Sequence, residues 1–223
     1  MTFSIAGICP DTGMLGCAIS SSSIAVASRC AFVRAGTGVA LTQNVTNPDL
    51  GPMVLDYLQR GRSPDRVMQV LHQADQSIQW RQLGILNAKG EGITFSGKHS
   101  LGIHCTHVGS TGLAMGNLLA NEDVPQAMLE AFSTSKGHLA GRLLDALTAG
   151  LQAGGETGPV HSAGVLVCAG PRWPVVDLRV DWHIDPIHEL NMIWRNYQPQ
   201  MQAYITRSSD PANAERHGVP GEL

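Results

Sequence analysis

The sequence has no C-x-x-C pair, although it holds five cysteines, Cys9, Cys17, Cys30, Cys105 and Cys168. An odd number of cysteines set among apolar residues excludes a disulfide scaffold and reads as buried thiols in a reducing, cytoplasmic compartment. No apolar run approaches the ~18 residues needed to span a bilayer, and no basic segment leads the chain, so neither a membrane span nor a signal peptide is expected. Charge is sparse: 15% of residues are charged, the net charge is −3, and aromatics make up 5% of the chain with no basic clusters among them. Nucleic acid and anionic membranes are therefore excluded as main partners. There is no G-x-G-x-x-G fingerprint, phosphate loop or G-x-S-x-G elbow, so no nucleotide, flavin or other cofactor is expected.

What is present is a chain of 223 residues, 43% hydrophobic, long enough to bury a core without staples. It opens on an alternating strand-like run, Thr2-Phe-Ser-Ile-Ala. Aminopeptidase processing would remove Met1 ahead of a residue as small as Thr2. The new terminus then carries a hydroxyl and a free α-amine on one residue. Such an amine can act as base for its own hydroxyl, and its ordinary pKa of roughly 7.7–8.0 suits that task. Taken alone, Met1-Thr2 reads as the ordinary start of a strand, since many proteins begin this way.

Turn chemistry at Pro10-Asp11-Thr12-Gly13 predicts a hairpin of strands 2–8 and 14–20. A second pair is expected at 30–34 and 38–44. Helices follow from Asn47-Pro48, with Asn as cap and Pro at the first helical position, and from Ser63-Pro64. Residues 82–87, 92–97 and roughly 103–118 read as strands. Helices are expected from about Asp123 and Gly137, strands at 162–169 and 174–184, and a last helix from Asp185-Pro186. This order predicts a single α+β domain over 1–206, with two mostly antiparallel sheets covered by helices, and a polar tail over 207–223.

If the first hairpin pairs as expected, the end of its second strand brings Ser20, Ser21 and Ser22 beside Thr2. A third strand opening at Arg29 would return to the same end and hold a fixed positive charge near the amine, lowering its pKa. The fourth strand would end there too, offering Gln43 and Asn44 as an oxyanion hole. Each of these residues has an ordinary reading, as loop serines, a surface arginine or turn amides. Their convergence on one point depends on the pairing. Glu156, after Gly154-Gly155, reads either as a substrate-orienting carboxylate or as a loop charge.

Several segments stand in a telling order: Thr2-Phe-Ser-Ile, the run from Ser21 to Cys30, Arg34-Ala-Gly36 and the run from Thr42 to Pro48. Later come Arg81-Gln-Leu-Gly84, Gly116-Asn-Leu-Leu119, Gly154-Gly-Glu156, Ser162-Ala163 and the run from Val176 to His183. On these segments the chain resembles the DUF1028 family, within the N-terminal nucleophile (Ntn) hydrolase-like superfamily. The resemblance covers Thr2 to about Thr206. It implies a four-layer α-β-β-α sandwich, Ntn-hydrolase-like, and hydrolysis of an amide-type C–N bond in a small molecule. Thr2 would be the nucleophile, with Arg29 and Gln43 in the catalytic set. Ser21, Ser22, Asn44, Asn117 and Glu156 would bind the substrate. Where proteasome-like members carry a catalytic lysine on the third strand, this chain has Arg29 or nothing, and Arg29 can act only electrostatically or anchor a substrate carboxylate.

Two other readings stay open. One is a ligand-binding or assembly protein on the same fold. The other is a metal-dependent hydrolase, because the alternation over 176–185 would align Asp181, His183 and Asp185 on one strand face. His104 and His107 fall on opposite faces of a strand and do not suggest a shared metal. Apolar-rich composition and the Asp/Arg strand face suggest a homo-oligomer, a dimer in the simplest case.

Overall fold

A computed structural model describes residues 1–215. The first hairpin is as expected: β1 (Thr2–Ile8) and β2 (Leu15–Ser21) pair antiparallel, with Phe3 opposite Ser20. Gly13, at a positive φ of 69°, closes its turn by donating to the Cys9 carbonyl. After a short helix α1 (Ala27–Cys30), β3 (Ala31–Arg34) and β4 (Gly38–Asn44) form the second hairpin. Then come α2 (Leu50–Gln59), α3 (Pro64–Ala74), β5 (Arg81–Asn87), β6 (Gly92–Ser96), β7 (Cys105–Val108) and β8 (Gly112–Asn117). The chain continues through α4 (Val124–Thr134), α5 (Leu139–Gln152), β9 (Ser162–Cys168), β10 (Val176–Val180) and α6 (Pro186–Ser209).

The strands form two antiparallel sheets, ordered β10-β9-β2-β1-β8-β7 and β3-β4-β5-β6. Three cores separate four layers. Phe3, Ile5 and Val165 of the larger sheet pack with Met128, Leu143, Leu147 and Trp194 of α4, α5 and α6. Ala6, Ile19 and Met115 of the same sheet pack with Val39 and Leu41 of the smaller one. The smaller sheet's other face, with Ala40 and Ile85, is covered by Val54, Leu58 and Leu71 of α2 and α3. The expected α-β-β-α sandwich is therefore the observed architecture. Its cause is visible in β1: odd positions face the helices and even ones face the second sheet, as a two-residue period requires.

Four expectations change at the level of elements. The single stretch read over 103–118 is a hairpin, β7 and β8, turning at 109–111. The helix expected from Asn47-Pro48 starts at Leu50, because Asn47 closes a turn of its own: its side chain accepts from the Asp49 N–H and its carbonyl from Leu50. The strand read over 174–184 stops at Val180, and Asp181 to Asp185 are exposed and outside any strand. The last helix continues past Thr206 to Ser209 despite Pro199 within it, and a 3-10 turn follows at Pro211–Asn213. The rest of the expected tail, 216–223, lies outside the described residues. Among those described, no helix is long and apolar enough to cross a membrane.

Candidate active site

β1 lies in the middle of the six-stranded sheet, so its first residue sits between two neighbours. Thr2 is opposite Asn117 of β8, and on the other side Phe3 is opposite Ser20 of β2. Thr2, Ser4, Ser21 and Asn117 all fall on the face toward the second sheet. Thr2 is only 6% exposed. Its hydroxyl lies 3.3 Å from Ser21 Oγ. Both hydroxyls donate to the carbonyl oxygen of Met1, and the Ser23 N–H donates to Ser21 Oγ at 3.0 Å. Thus the acyl carbonyl attached to the Thr2 nitrogen is gripped by two hydroxyls at the buried end of a strand.

Glu156 reaches this end from the loop after α5. Gly154 and Gly155 turn the chain there with φ of 126° and 58°, conformations that a side chain resists. Glu156 then forms an isolated bridge with Leu119. Its carboxylate accepts twice from the Ser22 N–H, at 3.2 Å to each oxygen. Burial pushes the carboxyl up to about 7, against the lowering effect of the N-terminal amine and of Ser22. The same amine acts on the Cys30 thiol, whose pKa is nonetheless raised by burial.

Behind Thr2, a buried polar network ties the two sheets together. Ser4 Oγ donates to Gln43 Oε1 at 2.7 Å, and Gln43 Nε2 donates to Gln82 Oε1 at 2.7 Å. Asn117 Nδ2 donates to the same Gln82 oxygen at 3.1 Å. Gln82 Nε2 serves Ser96 Oγ and the Gly116 carbonyl. Asn117 Oδ1 is buried with no protein partner.

Thr2, Ser21, Ser22, Asn117 and Glu156 are thus brought to one end of the larger sheet. Gln43 is near but differently employed, since its amide holds Ser4 and Gln82. Arg29 does not open β3. It lies in α1, and its guanidinium donates to the carbonyls of Ile24 and Ala25 at 2.6 and 2.9 Å. A helical turn between β2 and β3 redirects it, and no hydrogen bond among the described residues joins it to Thr2. Asn44, at φ 73°, spends its amide on the Trp80 carbonyl and the Leu101 N–H, bracing loops rather than an oxyanion.

Ser4 and Gln82 were not singled out from sequence. Ser4 carried a signal, a polar residue on the same face as Thr2. Gln82 carried none without the β4–β5 register that sets it opposite Gln43. The alignment proposed for Asp181, His183 and Asp185 lapses with the strand that would have carried it. Among the described residues no group of three or more His, Cys, Asp or Glu could hold a metal ion.

Residues 2–190 match a family model described as a family of unknown function, DUF1028. No curated protein matches the chain significantly. The chain is similar to the crystal structure of a DUF1028 protein from Silicibacter pomeroyi, with TM-score 0.82 and 30% identity over 88% of this chain and 89% of that one. Fainter likenesses are to HslV from Trypanosoma brucei (TM-score 0.45, 10% identity, 75% and 99% covered) and to Anbu from Yersinia bercovieri (0.38, 11%, 91% and 97%). A match that spans most of the chain, joined to a same-family structure of the same shape, means that this chain belongs to the DUF1028 family.

Proposed function

We propose that the protein hydrolyses an amide-type C–N bond in a small molecule, with Thr2 as N-terminal nucleophile once Met1 is removed. One observation carries the reading: the Thr2 hydroxyl, buried at a strand end, already lies against a carbonyl oxygen that the Ser21 hydroxyl also holds. In the proposed step Thr2 Oγ1 attacks the substrate carbonyl carbon and its proton passes to the Thr2 α-amine. The C–N bond breaks, and the leaving nitrogen takes that proton. Water then hydrolyses the ester, releasing a carboxylic acid and restoring the hydroxyl. Ser21 takes the oxyanion part first assigned to Gln43, and the free Asn117 Oδ1 offers an acceptor to an ammonium at its cross-strand neighbour. Ser22 fixes Glu156, while Gln43 acts through Ser4 and Gln82 as a positioning residue. Arg29 and Asn44 brace the loops around the site. Five unpaired cysteines support a reducing, cytoplasmic setting, and the exposed Trp182 and Ile184 support a homodimer.

The test begins with the intact mass of the purified protein, which reports whether Thr2 leads the chain. A panel of small amides is then assayed with the native protein and with Thr2→Ala. The expected loss is at least about 10³-fold in kcat, the scale for removing a nucleophile. Turnover that survives the substitution would overturn the assignment.

A further inference from the structure

We infer that Met1 occupies the place of a substrate's acyl group, and that the substrates are amides of α-amino acids whose α-ammonium is free and faces Glu156. This rests on the reading of Thr2 as nucleophile and names the substrate class for it. Three parts of Met1 meet three parts of the protein. Its carbonyl is held by the Thr2 and Ser21 hydroxyls. Its thioether end lies against Gly158, where an added Cβ would come within 3.6 Å of Met1 Cε and 3.8 Å of Sδ. Its α-amine acts electrostatically on the Glu156 carboxylate, which the Ser22 N–H holds one residue along the chain from the Ser21 hydroxyl that grips the Met1 carbonyl. Removal of Met1 leaves a space already shaped to a carbonyl, a side chain and a cation.

Glu156 is the part that the reaction itself does not explain. It is the one charged residue among the buried, described ones, at 5% exposure. A carboxylate buried so far is costly unless a cation or several donors meet it. Here its hydrogen bonds come from one neutral residue, Ser22, through its backbone N–H and its side chain. No described lysine or arginine pairs with it. An ammonium brought by the substrate supplies the missing charge and fixes which carbonyl faces Thr2.

The test uses the full chain with Thr2 exposed, released from a cleavable N-terminal fusion and checked by intact mass. Methionine p-nitroanilide and its N-acetyl counterpart are compared as substrates. The free amine is expected to be preferred at least about tenfold in kcat/KM, the lower end of what a charge-assisted hydrogen bond contributes. Glu156→Gln should raise KM for the free-amine compound by a similar factor and leave the acetylated one within about twofold. Equal turnover of the two compounds, or equal effects of the substitution on both, would overturn the inference while leaving Thr2 as nucleophile. Absence of turnover with either would count against Thr2, and calorimetry with methioninamide then decides the pocket. Binding that Glu156→Gln abolishes supports the inference, and no binding overturns it.

Discussion

At the scale of single residues, Glu156 links the site to stability. Its carboxyl sits at about 7 in the fold, against an ordinary 4.5. The folded state therefore holds a proton more tightly than the unfolded state, and stability falls as pH rises from about 4.5 to about 7, then levels. Glu156→Gln keeps the shape and cannot ionise. It should match the native protein at pH 4 and exceed it at pH 8, by at most about 3 kcal/mol. Thermal melts across that range check this, and identical slopes would refute it. Gln82→Leu should act in the opposite direction. It strands Gln43 Nε2, Asn117 Nδ2 and the Gly116 carbonyl in a dry interior, at a cost of about 2–4 kcal/mol in urea unfolding. It also frees Asn117 to turn, so kcat should fall more than KM changes. The contrast between the two residues explains what could be read beforehand. Glu156 stood out after two glycines, whereas Gln82 looked like any polar strand residue until the register put it beside Gln43.

Among the elements, α2 lies so close to β3 that one residue decides the spacing. A Cβ on Gly51 would sit 2.2 Å from the Phe32 ring. Helix propensity alone favours Gly51→Ala by about 1 kcal/mol. Overpacking against a half-buried ring costs about 1–3 kcal/mol, or more where backbone must move. The clash should win, lowering the urea midpoint with little change in slope; a stabilised variant would show that Phe32 swings aside freely. Close approach of this kind leaves no mark in periodicity, so the role of Gly51 shows only in the packing. The hairpin of β1 and β2 was legible because Pro10 to Gly13 is strong turn chemistry between alternating runs. The turn of β7 into β8 was not, since the small and polar residues from Gly109 to Thr111 continue into more strand. The end of β10 was hidden for a related reason: Trp182 keeps the alternation going in sequence, while in the fold it is 60% exposed and stacks on His161.

For the whole molecule the question is whether four layers unfold as one. The larger sheet gives one face to the core under α4, α5 and α6 and the other to the core between the sheets. The smaller sheet is shared in the same way with α2 and α3. Neither outer core can be lost without exposing a face of a sheet whose other side remains packed. Leu71 of α3 and Leu143 of α5 are both fully buried, in the two outer cores. Their replacement by alanine should cost about 2–5 kcal/mol each. In a chain of this size that lowers the melting temperature by roughly 5–20 °C. If the sheets couple the layers, each variant melts in a single calorimetric transition, and the double variant loses the sum to within about 0.5 kcal/mol, as separate sites do. A second transition in Leu71→Ala would instead show that the smaller sheet and its helices unfold alone. The Thr2 end would then lose Gln43 and Gln82 while the larger sheet still held the nucleophile, so activity would fade before the main melt. Scanning calorimetry run beside an activity trace separates the two outcomes, and the three-core packing predicts that both signals fall together.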